Sequence, residues 1–328
     1  MKVLITGGAG YIGSFMVRRL LEKGYEVVVL DNLVRGHRDS VPKETEFIQA
    51  DITNIQELES VFTEDRAIDA VMHFAGLIAV GESEREPELY HKNNVEGSRN
   101  LFDAAITKGN VNKFIFSSSA AVYGNPQQVP IPEDHPKNPT SVYGSNKLEV
   151  EKMLSKIRDE NSDVSFAALR YFNAAGAALD GSYGEAHMPE THIIPLAIKA
   201  AISNSEFKLF GTDYPTSDGT CIRDYIHVLD LVEAHVLALE KIDKDPGEYF
   251  YNVGTGNGFS NKEVLDTIEQ VSGLKINVVS SDRRPGDSDR LIADPTKIKS
   301  ELNFSSKYSD LEVIVQSAWE WHKKAVNS

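Results

Sequence analysis

Lys2-Val3-Leu4-Ile5-Thr6-Gly7-Gly8-Ala9-Gly10-Tyr11-Ile12-Gly13 opens the chain after Met1 and decides the fold. Lys2 to Thr6 is a short apolar run of strand type. Gly7, Gly10 and Gly13 give the spacing G-x-x-G-x-x-G, and the amphipathic stretch Ser14 to Lys23 follows it. Strand, glycine turn and helix, in that order, form the context in which such a motif carries meaning. The glycines allow a tight turn, close approach of the backbone to a pyrophosphate, and close packing of helix on strand. The helix N-terminus then offers free N–H groups and a positive dipole end to the phosphates. A second apolar run, Glu26 to Leu30, ends at Asp31, 31 − 13 = 18 residues past the last glycine. A carboxylate there bonds the ribose hydroxyls of NAD and would repel a 2′-phosphate. NAD is therefore expected over NADP, although Arg35 and Arg38 lie close enough in sequence to serve a 2′-phosphate.

Further strand-like runs alternate with helical stretches: Glu46 to Gln49, Asp69 to Phe74, Lys113 to Phe116 and Ser165 to Arg170. That alternation argues for βαβ units. The expected fold class is α/β, a Rossmann-type doubly wound parallel sheet with a smaller C-terminal α/β substrate lobe. Residues 1–173 should form the nucleotide-binding domain, with later segments near 220–257 returning to it, and 174–328 the second lobe. Small and polar residues cluster where the strands end, at Gly7, Asp31, Asp51-Ile52, Ala75-Gly76, Ser117 to Ser119 and Asn173. Ligands of such sheets bind at the C-terminal ends of strands.

Composition narrows the function classes. A chain of 328 residues can bury a large core. A formal net charge of −15 argues against nucleic acid, whose binding rests on phosphate neutralisation by Lys and Arg. No apolar run approaches the ~20 residues that span a bilayer, so no membrane is expected. Met1 to Ile5 reads as a strand and not as a signal peptide. The single cysteine, Cys221, excludes an internal disulfide and fits a reducing cytoplasm. None of the nine histidines stands in H-x-x-x-H or another metal spacing with acids, so no metal is expected. His73 reads as a packed strand-end residue.

Tyr143 and Lys147 lie four apart in Ser141-Val142-Tyr143-Gly144-Ser145-Asn146-Lys147, hence on one face of a helix. A lysine beside a phenol favours the phenolate. A free tyrosine titrates near pH ~10, and bringing it to about 7 takes ~4 kcal/mol of differential stabilisation. A phenol so tuned can serve as base and then as acid at working pH.

Taken together, these residues resemble the extended short-chain dehydrogenase/reductase superfamily, and within it the UDP-hexose 4-epimerases. The resemblance runs nearly end to end. Its landmarks are Thr6 to Ser14, Asp31-Asn32-Leu33, His73 to Gly76, Asn93-Asn94-Val95, Ser117 to Gly124, Tyr143 to Lys147, Arg170 to Gly176, Arg223 to Val228, Val253 to Gly256 and Arg284-Pro285-Gly286-Asp287.

The resemblance implies reversible interconversion of UDP-glucose and UDP-galactose by transient oxidation at C4 with bound NAD. Tyr143 would be the base, Lys147 would hold the nicotinamide ribose and tune it, and Ser119 would bond the 4-oxygen. NAD would be held by Gly7, Gly10, Tyr11, Ile12, Gly13, Asp31, Asn32, Asp51, Ile52, Phe74, Ala75, Gly76, Asn93, Ser117 and Tyr171, besides Tyr143 and Lys147. The UDP-sugar would meet Ser119, Tyr143, Asn173, His192, Ile193, Arg223, Arg284, Asp287 and Leu291. Arg presents a planar fork to phosphate oxygens, which suits Arg223 and Arg284 to a diphosphate. An ion pair of Arg223 with its neighbour Asp224 is the competing reading. Leu291 stands where size decides whether an N-acetyl group fits. A homodimer through helices around 87–106 and 142–159 is also implied. Sugar 4,6-dehydratases carry an acid and base where this chain has Ala120 and Ala121, and alanines exchange no protons. Epimerases of other UDP-sugars, or a non-catalytic NAD-binding regulator, are the remaining alternatives.

Overall fold

A computed structural model describes residues 1–63, 65–284 and 287–327. Pro285 and Gly286, part of one landmark quoted above, lie outside the described residues. The strands are β1 (Lys2–Thr6), β2 (Glu26–Asp31), β3 (Glu46–Gln49), β4 (Ala70–His73), β5 (Lys113–Ser119), β6 (Ser165–Tyr171), β7 (Asn173–Ala175), β8 (Glu206–Phe210), β9 (Ile222–His227), β10 (Glu248–Val253), β11 (Gly258–Ser260), β12 (Asn277–Ser281) and β13 (Arg290–Leu291). The chain divides into two units. The first comprises Met1–Gly124, Pro136–Arg170 and Val232–Tyr251; the second comprises Asn125–His135, Tyr171–Leu231 and Asn252–Ser328.

The first unit is built on a seven-stranded sheet in the order β10-β6-β5-β4-β1-β2-β3. β1 pairs in parallel with β2 and with β4, so the strand order reverses there. That reversal opens a crevice at the C-terminal ends of the strands, where doubly wound sheets bind ligands. Leu4, Val28, Val71, Phe114 and Phe166 share a core with Leu58 and Val61 of helix Ile55–Val61, Leu101 and Phe102 of helix Gly97–Thr107, and Val150 and Leu154 of helix Val142–Glu160. β1 is buried on both faces along Val3 to Thr6, which explains why it reads as a continuous apolar run.

The first helix spans Tyr11–Glu22, three residues earlier than its amphipathic pattern suggests. The expected start at Ser14 is corrected because Gly10 serves as N-cap and Gly13 already lies within the helix. A Cβ on Gly13 would sit 2.1 Å from the Gly7 carbonyl oxygen. Gly7 has φ +72°, and a Cβ there would meet the Ala75 nitrogen at 2.5 Å. The turn and the β4 exit are therefore in backbone contact, and only glycine permits it.

In the second unit β9 is central. It pairs antiparallel with β11 and parallel with β13 and β7. β8 and β12 form a separate parallel pair. Ile194 and Ile198 of helix Ile193–Ser203, Val264 and Ile268 of helix Asn261–Ser272, and Ile314 and Val315 of helix Leu311–Asn327 form its core. Among the described residues no helix is long and apolar enough to cross a membrane.

Gly13→Ala should lower stability by about 1–3 kcal/mol, the usual range for overpacking against atoms that must shift. Urea unfolding measures it. An unchanged midpoint would show that the Gly7 turn yields without cost.

Candidate active site

Helix Val142–Glu160 carries three chemically useful side chains one turn apart: Tyr143, Lys147 and Glu151. Ser141 caps it, its hydroxyl oxygen accepting from the Gly144 N–H at 3.0 Å. Tyr143 is buried, and its backbone N–H donates to Ser83 Oγ at 3.2 Å. The Lys147 ammonium, also buried, donates to the Ser117 carbonyl at 2.8 Å and lies 5.7 Å from the centre of the Tyr143 ring. Burial pushes Lys147 down to about 8, while the Glu151 carboxylate opposes the shift. Ser119 ends β5, and its Oγ accepts from the Ala121 N–H at 3.2 Å. The structure thus brings Tyr143, Lys147 and the β5 residues Ser117 to Ser119 to one edge of the sheet.

Glu151 and Arg170 were not among the sequence-predicted site residues, yet they form the deepest ion pair of this region. Arg170 donates through Nε and Nη2 to the two Glu151 oxygens at 2.8 and 2.7 Å, and through Nη1 to the Tyr123 hydroxyl at 2.9 Å. Its guanidinium lies over the Phe250 ring at 4.7 Å. Ser118 Oγ donates to Glu151 Oε1 at 2.6 Å. The available signal was Glu151 at the i+4 position from Lys147, on the face already singled out.

At the crevice, a cavity of about 400 Å³ is lined by Gly7, Gly10, Asp31, Asn32, Asp51, Ile52, Phe74, Ala75, Gly76 and Asn93, all predicted for the cofactor. Asp31 is buried. Its two oxygens accept one backbone N–H each, from Ala9 at 2.9 Å and Leu33 at 2.8 Å. Burial raises its pKa, and these two donors pull the other way. Each oxygen keeps a lone pair that could receive a ribose hydroxyl. Asn32 donates to Asp51 Oδ2 at 3.0 Å, joining two of the predicted residues. Gly10 caps the first helix without any side-chain acceptor, so that end remains open to an anion. A Cβ on Gly76 would lie 3.9 Å from Lys147 Nζ, which connects this cavity to the lysine. The glycine cradle, the uncapped helix and the buried carboxylate fit a dinucleotide. Tyr11 packs edge-on to Phe15 and Ile12 lies in the first turn; they, Gly13, Ser117 and Tyr171 are not among the cavity-lining residues. Lys92 lines the cavity and was missed.

The two arginines that left room for a 2′-phosphate have other partners. Arg35 Nη2 donates to both Glu82 oxygens at 2.9 and 3.1 Å, and the Arg38 guanidinium stacks on Phe47 at 4.5 Å. His73 is buried with Nδ1 2.7 Å from Thr6 Oγ1 and Nε2 2.8 Å from Ser98 Oγ. Burial holds its pKa at about 3, so it is neutral.

In the second unit a cavity of about 360 Å³ gathers Ile193, Arg284 and Asp287 of the predicted substrate residues. The Arg284 guanidinium lies over Phe210 at 4.1 Å. Arg223 pairs with Asp287 at 3.6 Å, not with Asp224. Asp224 is fully buried and accepts from Thr255, Gly256 and Ala293 backbone N–H groups, so its charge faces away from its neighbour in sequence. Leu291 lies opposite Arg223 in the β13–β9 register, and Asn173 donates to the Asp224 carbonyl at 2.9 Å. His192 Nδ1 lies 3.0 Å from Glu190 Oε1. The four side chains Glu185, His187, Glu190 and His192 converge, a grouping that helical metal spacings do not reveal.

Comparison with known proteins agrees with this geometry. Residues 3–254 match the model of the NAD dependent epimerase/dehydratase family. The chain is 46% identical over 324 residues to a UDP-glucose 4-epimerase of Lactobacillus helveticus, covering 98% of this chain and 97% of that one. Among solved structures it resembles UDP-glucose 4-epimerase from Brucella ovis in complex with NAD, at 43% identity and TM-score 0.93 over 97% of each chain. It also resembles the Bifidobacterium longum enzyme in complex with NAD+ and UDP, at 36% identity and TM-score 0.93 over 100% of this chain and 99% of the other. The chain belongs to the NAD dependent epimerase/dehydratase family.

Two outcomes follow from the helix Val142–Glu160. Lys147 in the cofactor-free protein should titrate near pH 8 by 13C NMR of its ε-carbon, and a midpoint above 10 would count against its burial. Since its folded pKa lies below the unfolded value near 10.5, the unfolded chain binds more protons between the two. This group's destabilisation, ~3 kcal/mol, is therefore complete below pH 8 and is relieved as pH rises towards 10.5. Arg170→Met, which strands the Glu151 charge, should cost about 3–5 kcal/mol in urea unfolding.

Proposed function

We propose that this member of the family interconverts UDP-glucose and UDP-galactose by oxidation and re-reduction at C4 of the sugar. The observation that carries the reading is the buried Lys147 ammonium, one turn from Tyr143 and adjoining a glycine cradle that fits NAD. When bound, NAD supplies the acceptor that takes the C4 hydrogen as hydride and returns it. Tyr143 removes the proton of the 4-hydroxyl, with the Ser119 hydroxyl bonding the same oxygen. Loss of that proton and of the C4 hydride leaves a 4-keto sugar. The positive charge of Lys147 favours the phenolate form of Tyr143. After the keto sugar turns its opposite face to the hydride, Tyr143 gives the proton back, so one group serves both directions. With NAD bound, Lys147 would hold the nicotinamide ribose and Asp31 the adenosine ribose.

Arg223 and Arg284 hold the UDP diphosphate while the sugar turns, and Asp287 exchanges its Arg223 contact for a uridine ribose hydroxyl. Asn173, His192 and Ile193 line the substrate. Leu291 narrows the space beside C2, which favours UDP-glucose and UDP-galactose over N-acetylated sugars. A homodimer through the helices around 87–106 and 142–159 belongs to the same reading. The free, buried Cys221 suits a cytoplasmic setting.

Purified protein given UDP-galactose without added cofactor should yield UDP-glucose. No product, even with NAD supplied, would sink this substrate assignment and turn attention to UDP-uronates, pentoses and N-acetylhexosamines. Tyr143→Phe should lower the rate by about 10²–10⁴ while leaving NAD bound. Indifference to that substitution would favour a regulator on the same fold.

A further inference from the structure

The segment Glu185-Ala186-His187-Met188-Pro189-Glu190-Thr191-His192 contains two Glu-x-His steps. It is a loop, so helical spacing does not apply to it. One donor atom from each of Glu185, His187, Glu190 and His192 lies within 4.8 Å of the others. His187 Nδ1 is 2.9 Å from Glu185 Oε1, and His187 Nε2 is 3.9 Å from Glu190 Oε1. His192 Nδ1 is 3.4 Å from Glu185 Oε1 and 3.0 Å from Glu190 Oε1. A tetrahedral ion with bonds of about 2.0–2.2 Å requires donors about 3.3–3.6 Å apart. The separations from His192 Nδ1, 3.4 and 3.0 Å, lie near that edge length, and His187 can offer either one of its two nitrogens to the same ion.

A second observation concerns satisfaction of these atoms. The Glu190 side chain is 4% exposed and that of Glu185 is 7% exposed. Glu190 Oε2 is buried without a hydrogen-bond partner, and His187 Nδ1 makes no hydrogen bond of good geometry although it lies 2.9 Å from Glu185 Oε1. Buried polar atoms are nearly always partnered, and such exceptions point to an ion or another group. Two buried carboxylates within reach of each other repel unless positive charge lies between them, which the His192 imidazole or an ion held with it can supply.

We propose that Glu185, His187, Glu190 and His192 bind one divalent transition-metal ion of the zinc class. Imidazole donors suit zinc and its neighbours in the series, and the two carboxylates neutralise its charge. Four protein ligands close a tetrahedral shell, which assigns the ion a structural role and leaves no open position for chemistry. The loop it would tie leads directly into helix Ile193–Ser203, whose Ile193 and Lys199 line the second cavity. On its far side the loop is already fixed by Trp321, whose Nε1 donates to the Glu185 carbonyl at 2.8 Å. The ion would complete this clamp and stiffen the cavity wall.

The test uses the untagged, full-length protein stripped with a chelator. Zn2+ titrated in competition with a chromophoric chelator should occupy one site per chain with micromolar or tighter affinity. Co2+ in the same wild-type site should show the intense d–d absorption of tetrahedral coordination. His187→Gln and Glu190→Gln should each weaken Zn2+ binding by more than the about 10–100-fold that loss of an outer-shell partner causes. Far-UV circular dichroism confirms that the variants fold, and the wild-type Co2+ spectrum does not depend on them. An absent or octahedral Co2+ spectrum overturns the proposal. So does Zn2+ affinity that is unchanged in folded variants, which would mean an adventitious ion only.

Discussion

The buried pair of Glu151 and Arg170 is the constraint on which the candidate catalytic edge depends. Two unpaired charges at this depth would be intolerable; paired, they are held by bidentate geometry, by the Tyr123 hydroxyl and by Ser118. The result is a fixed distance between helix Val142–Glu160 and strands β5 and β6. Lys147 lies one turn before Glu151 and Tyr143 one turn before that, so both inherit the registration. Lys147 loses hydration when buried, and the Glu151 charge offsets part of that loss. Its remaining donor contact, to the Ser117 carbonyl, points it along the end of β5. Burial and one carbonyl acceptor are thus the physical cause of its depressed pKa.

The second constraint is steric. Gly7, Gly13 and the β4 exit approach so closely that a single Cβ would collide with backbone atoms. This closeness brings Ala75, Gly76 and the start of the first helix around one cavity, and the Gly76 position reaches towards Lys147. The glycine cradle and the helix that carries Tyr143 and Lys147 thus adjoin within one unit. Arg35 and Arg38, the groups that could have welcomed a 2′-phosphate, are engaged by Glu82 and Phe47 instead. Arg35 still lines the cavity, so its pairing with Glu82, and not its distance, is what engages it.

In a chain of net charge −15, the second unit sets two arginines apart in distinct surroundings. Arg223 is paired with Asp287, while Arg284 rests on the face of Phe210. A carboxylate partner at 3.6 Å orients Arg223. Asp224 is engaged elsewhere, by burial and by three backbone donors on two segments.

The sequence by itself determined the glycine turn, Asp31, the alternation that builds the parallel sheet, and the Tyr143/Lys147 pair. Each is a local pattern: a spacing of three, an apolar run, or one helical turn. Their chemistry follows from residue type and period, whatever the rest of the chain does. Sequence also placed the first helix three residues late, because amphipathic periodicity cannot register a helical turn made largely of glycine and its neighbours. Only the tertiary structure decided that Arg170 is Glu151's partner, that Arg223 meets Asp287 and not Asp224, and that Lys92 faces the cavity. It alone showed four side chains converging in the loop from Glu185 to His192. Those relations depend on which strands become neighbours and on how loops fold back, and the contacts that fix them join residues 19 or 64 positions apart as readily as adjacent ones. Periodicity reports the face a residue occupies; packing alone reports what stands opposite it.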